Sequence, residues 1–235
     1  MATNAAAKRR RPPRAVPDPY HHGALRAALL DAAEAILREG GIEAFTLREC
    51  ARRAGVSHAA PAHHFGDARG LLSACAAAGF ERMADTMLQY AARAGGSDAV
   101  ARLRAVGQAY IDFALRNRAL FQLMFRRDRL DPQNDDLRRA GKRTGDVLRL
   151  AVGDMLQARG LPAQERGQRI LLAWSLTHGF ATLVLEEQCA DLYGLDVDHF
   201  RAASRMGDEL LRLLEGGLIS PAAAGLSATR SPSCR

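Results

Sequence analysis

The chain has 235 residues, of which 48% are hydrophobic and 25% charged, with a formal net charge of +7, the balance of a soluble globular protein of one large domain or a small domain joined to a larger one. No apolar run approaches the roughly 18–20 residues needed to cross a bilayer, so no membrane partner is expected. Cys50, Cys75, Cys189 and Cys234 lie far apart with no CxxC pair, which argues against a zinc ribbon or a disulfide framework and fits a reducing cytoplasm.

The charge is uneven. Residues 1–19 read as a disordered arm in which Lys8, Arg9, Arg10, Arg11 and Arg14 face a single acid, Asp18. Prolines rather than an apolar stretch follow the basic cluster, so the arm is not a secretory signal. It suits phosphate or minor-groove contact, and equally a merely solubilising tail.

Apolar residues then recur with the helical period and strand signals are scarce, so an all-α chain is expected. A first helix is predicted over His22–Glu39, with Leu25, Leu29, Ala32, Ala33, Ile36 and Leu37 as its stripe and Gly40-Gly41 as its stop. Thr46-Leu-Arg-Glu49 has the form of a capping box, in which the Thr46 hydroxyl accepts from the amide of residue 49 and Glu49 reaches back to the amide of Thr46. Gly55 ends this short second helix. Ser57 is expected to cap a third, whose first turn tolerates Pro61. A long fourth helix starts near Asp67 and runs to Gly95-Gly96. Further helices are predicted at about 98–117, 119–126, 134–159, 163–188 and 196–215, followed by an unstructured tail over 218–235.

Two short helices joined through Ala54-Gly55-Val56-Ser57 have the length and turn chemistry of a helix-turn-helix, whose second helix fits the DNA major groove. Val56, Pro61 and Phe65 fall on one side of the third helix as its packing face. His58, Ala59, Ala62 and His63 are left outward, where histidines can meet bases or phosphates and alanines can touch thymine methyls. The histidines do not read as a metal site: His63 and His64 are about 100° apart on a helix, and no Cys or acidic partner stands at ligand spacing. An enzyme using these histidines is disfavoured on the same ground, and neither a catalytic residue nor a cofactor is expected.

Residues 20–82 resemble the N-terminal domain of TetR/AcrR-type transcriptional regulators. The helix-one stripe, T-L-R-x-x-A-x-x-A-G-V-S, the short helix ending H-F and the following D-x-x-x-L-L all appear in register. The C-terminal half resembles the variety of this family whose regulatory domain carries a Trp-x-x-x-His-Gly signature, here Trp174 to Gly179, with Phe113 to Phe125 upstream. The resemblance implies a three-helix DNA-binding domain over 20–66, built on the helix-turn-helix, and a helical ligand-binding and dimerisation domain over 67–217. It implies a homodimeric, ligand-responsive repressor of a double-stranded DNA operator, controlled by a small-molecule effector.

Pattern and resemblance together nominate Arg48, Ser57, His58, Ala59, Ala60, Ala62, His63, His64 and Arg69 for DNA contact, with Arg9, Arg10 and Arg11 of the arm. This sequence departs from the family where an aromatic and a basic residue usually precede the final His-Phe, here Ala62 and His63. It departs again where a lysine often follows the aspartate of helix four, here Ala68 with Arg69 beside it. These departures motivate a rival reading as a helical adaptor that has lost DNA binding. Phe113, Phe121, Met124, Phe125 and Met155 can surround a hydrophobic ligand or form plain core. For Trp174 and His178, a buried tryptophan with a hydrogen-bonded histidine is preferred over a pocket lining. The resemblance implies a four-helix dimer interface, which the apolar content of the last two long helices fits, with Ile170, Trp174, Ala181 and Val184, and Ala203, Met206, Leu210 and Leu214, expected in it.

Overall fold

The computed structural model describes residues 19–96, 98–189 and 200–219. Regular structure among them is entirely helical: α1 (Pro19–Gly40), α2 (Leu47–Arg53), α3 (Ala60–Phe65), α4 (Ala68–Arg93), α5 (Ala99–Arg116), α6 (Arg118–Met124), α7 (Asp135–Ala158), α8 (Arg166–Leu185) and α9 (Phe200–Ile219). Short 3-10 turns at Ile42–Ala44 and Ala163–Glu165 lead into α2 and α8. The arm with Arg9, Arg10 and Arg11, and the chain after Ile219, lie outside the described residues. α9 itself runs to Ile219, past the end expected at 215 and into the stretch assigned to the tail. No helix among the described residues is long and apolar enough to cross a membrane.

Side chains that satisfy the orphan amides of a first turn mark the starts of α2, α4, α5 and α7. Asp67 accepts from the amide of Gly70 at 2.8 Å, Asp98 from Val100 at 2.9 Å and Asn134 from Leu137 at 2.9 Å. Thr46 caps α2 as expected, accepting from the Glu49 amide at 3.2 Å. The reciprocal half of the capping box does not form. Arg52 and Arg53 take the Glu49 carboxylate in bonds of 2.7–2.8 Å, since charge-assisted bonds outcompete one to a neutral amide.

α4 is the rod that joins the two halves of the chain. Its first turns bury Leu71, Leu72 and Cys75 against Leu29, Ala33, Ile36 and Leu37 of α1. Further along, Met83 and Met87 enter the same core beside Val106 and Tyr110 of α5 and Val147 of α7. A second core gathers Leu103 and Ile111 of α5, Val152 and Met155 of α7, Ala173 and Phe180 of α8, and Leu211 and Leu214 of α9. Both cores are largely apolar packings, and hydrophobic burial is their main stabilising term.

Polar ties pin α4 to its neighbours. Arg82 meets Glu34 of α1 at 2.7 Å. Arg143 of α7 reaches Glu81 at 2.6 Å and Asp85 at 2.5 Å, while the Thr144 hydroxyl donates to the Phe80 carbonyl at 2.9 Å. Gly70 permits the sharp junction of α3 with α4: a Cβ there would stand 1.9 Å from the Phe65 carbonyl oxygen.

Candidate nucleic-acid interface and cavity

The turn between α2 and α3 is a complete Schellman motif. Gly55 takes φ +67°, the Val56 amide donates to the Ala51 carbonyl at 3.0 Å and the Gly55 amide to Arg52 at 3.2 Å. The left-handed conformation that glycine adopts without a Cβ clash turns the chain toward α3. Ser57 does not cap that helix. α3 begins three residues later, with Ala59 at its N-cap and no side-chain cap bond, and Pro61 sits in its first turn. The residues after Ser57 form a turn instead, closed by the Ala60 amide on the Ser57 carbonyl at 3.0 Å.

The inward side of α3 is as expected: Pro61 is buried, and Val56 and Phe65 pack partly buried against the core. The guanidinium of Arg26 stands 5.6 Å from the centre of the Phe65 ring, holding α3 against α1. Ser57, His58, Ala59, Ala62 and His63 are exposed, whereas Ala60 and His64 are only partly so. The His63 and His64 rings meet edge to face at 5.5 Å.

The two nominated arginines behave differently. Arg48, in the first turn of α2, is exposed, and no hydrogen bond or ion pair joins it to another described residue. Glu49 beside it is committed elsewhere: hydrogen bonds from Arg52 and Arg53 pull its carboxyl down to about 2. Arg69 is also exposed, but its guanidinium donates to the Leu130 carbonyl at 2.6 Å. It ties the start of α4 to the loop before α7, a long-range contact that no local pattern announces.

A cavity of about 290 Å³ lies beneath α4, walled by α5, α7, α8 and α9. Of the residues nominated for a ligand, Phe125, Met155 and Trp174 line it. Phe113 and Met124 belong to the core instead. Phe121 and His178 face a second hollow of about 360 Å³, shared with Phe125 and with Ile42 and Glu43 of the turn before α2. Trp174 is not the buried tryptophan preferred from the sequence: it is 42% exposed and stacks on His178 at 5.5 Å between ring centres. His178 hydrogen-bonds the Tyr110 hydroxyl at 2.8 Å. The sequence reading also missed Arg104, Tyr110, Arg149 and Glu215 in the cavity wall. Arg104 and Glu215 pair at 2.8 Å across 111 residues, a separation at which local spacing carries no signal.

The outer side of α8 and α9 differs from the expected one. Ala181, Ala203 and Leu214 are buried in the chain's own core, and Ile170, Val184, Met206 and Leu210 pack partly buried against it. Trp174 excepted, the nominated stripe is the one each helix turns inward. Of the eight exposed large apolar side chains among the described residues, six lie on these two helices: Leu171, Leu172, Trp174, Leu183, Phe200 and Leu213. Gly179 lies near this surface, and a Cβ added there would meet nothing within 4 Å.

A short helix pair presenting an exposed second helix, joined by one rod to a helical bundle with an apolar cavity, is the plan of a helix-turn-helix transcriptional regulator. Residues 29–75 match the family model described as bacterial regulatory proteins, tetR family, and residues 103–210 match that of the tetracyclin repressor-like C-terminal domain. The chain belongs to the TetR family of transcriptional regulators, which are not enzymes.

Among curated proteins, the HTH-type transcriptional regulator BetI of Yersinia pestis (strain Pestoides F) is 32% identical over 94 residues, 40% of this chain and 48% of that protein. The chain thus spans about half the length of the curated relatives it matches. Among solved structures, one of a protein of unknown function from Rhodococcus sp. RHA1 is 34% identical, covering 83% of this chain and 98% of that one at a TM-score of 0.67. The TetR family transcriptional regulator PfmR from Thermus thermophilus shares the fold at 17% identity and a TM-score of 0.57, over 85% of this chain and 97% of its own.

Proposed function

We propose that the chain is a repressor that binds a near-palindromic operator as a homodimer and is released by a small, largely hydrophobic effector bound in the cavity. The observation that carries this reading is the double engagement of α4. Its N-terminal turns pack the DNA-reading helices, and its Phe80 and Met87 line the cavity. A ligand that reshapes the cavity therefore pushes on the rod that sets the position of α3. Arg48, His58 in the turn before α3 and His63 of α3, with the arm in which Arg9, Arg10 and Arg11 lie, supply the DNA contacts. Two copies joined through the exposed faces of α8 and α9 set two reading helices about 34–36 Å apart, one turn of DNA. A DNA partner also assigns the protein to the cytoplasm.

Footprinting of the full chain on genomic fragments, beginning with the DNA that flanks its own gene, tests the reading. Protection of two inverted half-sites one turn apart, with affinity falling steeply as salt rises, is the expected result. Weak binding without a protected sequence supports the adaptor reading suggested by Ala62 and Ala68.

A further inference from the structure

Which chemical class of effector fits is set by the size, polarity and free charge of the cavity. At the ~30 Å³ that a water-sized group claims in a liquid, the volume of about 290 Å³ holds on the order of ten non-hydrogen atoms. The wall is mainly apolar, with Phe80, Met87, Leu103, Leu148, Met155 and Leu211 among its side chains. Its hydroxyls are already used inside the chain. Thr144 donates to the Phe80 carbonyl at 2.9 Å, Thr177 to the Ala173 carbonyl at 2.9 Å, and Tyr110 is bonded to His178 at 2.8 Å. The protons of both threonines are thereby spent on backbone carbonyls, and the Tyr110 oxygen is engaged by the imidazole.

The charged lining is Arg104, Arg149 and Glu215, a surplus of one positive charge. Arg104 and Glu215 neutralise each other through their 2.8 Å bond. Arg149 is held from behind: its Nε donates to Asp146 at 2.9 Å and its Nη2 bonds the same oxygen, while Asp146 is not part of the lining. Its Nη1 has no acceptor among the described residues. That nitrogen lies over Gly145, itself a lining residue, where an added Cβ would stand 3.3 Å from it. The Asp146 pair is solvent-exposed and one turn apart on α7, the kind of ion pair that screening weakens. Arg149 therefore keeps a free, charged donor on the cavity side.

We infer that the effector is a small amphipathic monocarboxylate, its chain in the apolar cavity and its carboxylate on Nη1 of Arg149; this rests on the reading of the cavity as the effector site. A cationic amphiphile would meet Arg149 and find Glu215 already engaged, and a neutral alcohol would gain a hydrogen bond without the charge.

Octanoate, octanol and octylammonium, each with an eight-carbon chain, separate the possibilities on the full-length protein. Trp174 is the only tryptophan of the sequence and lines the cavity, so its fluorescence reports occupancy, and calorimetry gives affinity and stoichiometry. Octanoate is expected to bind about tenfold more tightly than octanol, the contribution of one hydrogen bond to a charged group, and octylammonium most weakly. Arg149→Gln should remove the octanoate advantage and leave octanol binding unchanged. Asp146→Asn, which frees the guanidinium, should strengthen octanoate alone. Octanol binding as well as octanoate, or a preference indifferent to both substitutions, overturns the carboxylate assignment while leaving the cavity as the effector site. Silence from all three probes in fluorescence and heat overturns both.

Discussion

The Tyr110 hydroxyl lies 2.8 Å from Nδ1 of His178, a residue 68 positions away on another helix. Tyr110 belongs to the wall of the apolar cavity and His178 to the hollow beside the turn before α2. Phe125 borders both spaces and stands 4.5 Å from the His178 ring. The aromatic group is thus a partition between the two hollows. Burial pushes the Tyr110 phenol far above its usual range, opposed by a hydrogen bond from Trp174, and burial pulls His178 down. Desolvation favours the neutral imidazole, in which one ring nitrogen carries the proton and the other accepts.

Removing the phenol oxygen exposes what that bond contributes. Tyr110→Phe leaves Nδ1 of a half-buried imidazole without its hydrogen-bond partner, which should cost about 1–3 kcal/mol in unfolding free energy by urea titration. Adding His178→Phe removes the orphaned group, so the double variant should recover part of that loss. A Tyr110→Phe protein as stable as the parent would mean that the bond contributes nothing.

His178 also gives a pH dependence with a defined sign. Its folded-state pKa is lowered by desolvation, so on acidification the unfolded chain takes up this proton before the folded one does. Stability is then fully present above the ordinary histidine range, near pH 6.5, and declines as pH falls through that range toward the lower folded value. Unfolding measured at pH 7.5 and 5.5 should show a larger loss for the parent than for His178→Gln. Parallel losses in the two proteins would remove His178 from the account.

The DNA-reading face allows two arginines to be told apart. Arg48 has no partner among the described residues, so Arg48→Ala should leave the melting temperature unchanged and weaken operator binding. If Arg48 meets a phosphate, the slope of log affinity against log salt should fall by about one unit, evenly across sequences. Arg69→Ala instead removes the bond to the Leu130 carbonyl and should lower stability with little change in that slope. Gel shifts at several salt concentrations, paired with thermal melts, read both quantities. An unchanged salt slope in Arg48→Ala would take that side chain off the DNA.

The difference between these arginines also shows where the sequence is readable. Local chemistry carries the helix starts: Thr46 and Asp67 cap as their spacing to the next turn requires, and Pro61 and Phe65 face inward because the helical period puts them there. The same period cannot say where a long side chain goes once it leaves its helix. Arg69 finds an acceptor 61 residues away, and the Glu49 carboxylate prefers two guanidiniums to the Thr46 amide. Periodicity also shows that α8 and α9 are apolar without showing which stripe the chain uses for itself. Ala181, Ala203 and Leu214 are nominated for a partner by pattern and are buried at home. Trp174 is expected inside because large aromatics usually are, yet its stacking on His178 holds it at the border of the cavity.

That last ambiguity leads to a test of the dimer. Leu171 is 58% and Leu213 77% exposed, so neither contributes much to the core of its own chain. Changing either to glutamate should leave the fold and its helical circular dichroism intact, since surface substitutions away from buried features usually move stability by less than about 0.5 kcal/mol. If the exposed faces of α8 and α9 join two copies, Leu171→Glu and Leu213→Glu place charges inside an apolar contact, where an unpaired charge is strongly unfavourable. The mass in light scattering should then fall from twice 25.4 kDa toward 25.4 kDa, and operator affinity should fall with it, because a single reading helix loses the gain of engaging two half-sites together. Ala203→Glu behaves differently under the same reading: its side chain is buried at home, so it should unfold the protein rather than merely separate two copies. Variants at Leu171 and Leu213 that keep the parent's mass would move the interface off these faces.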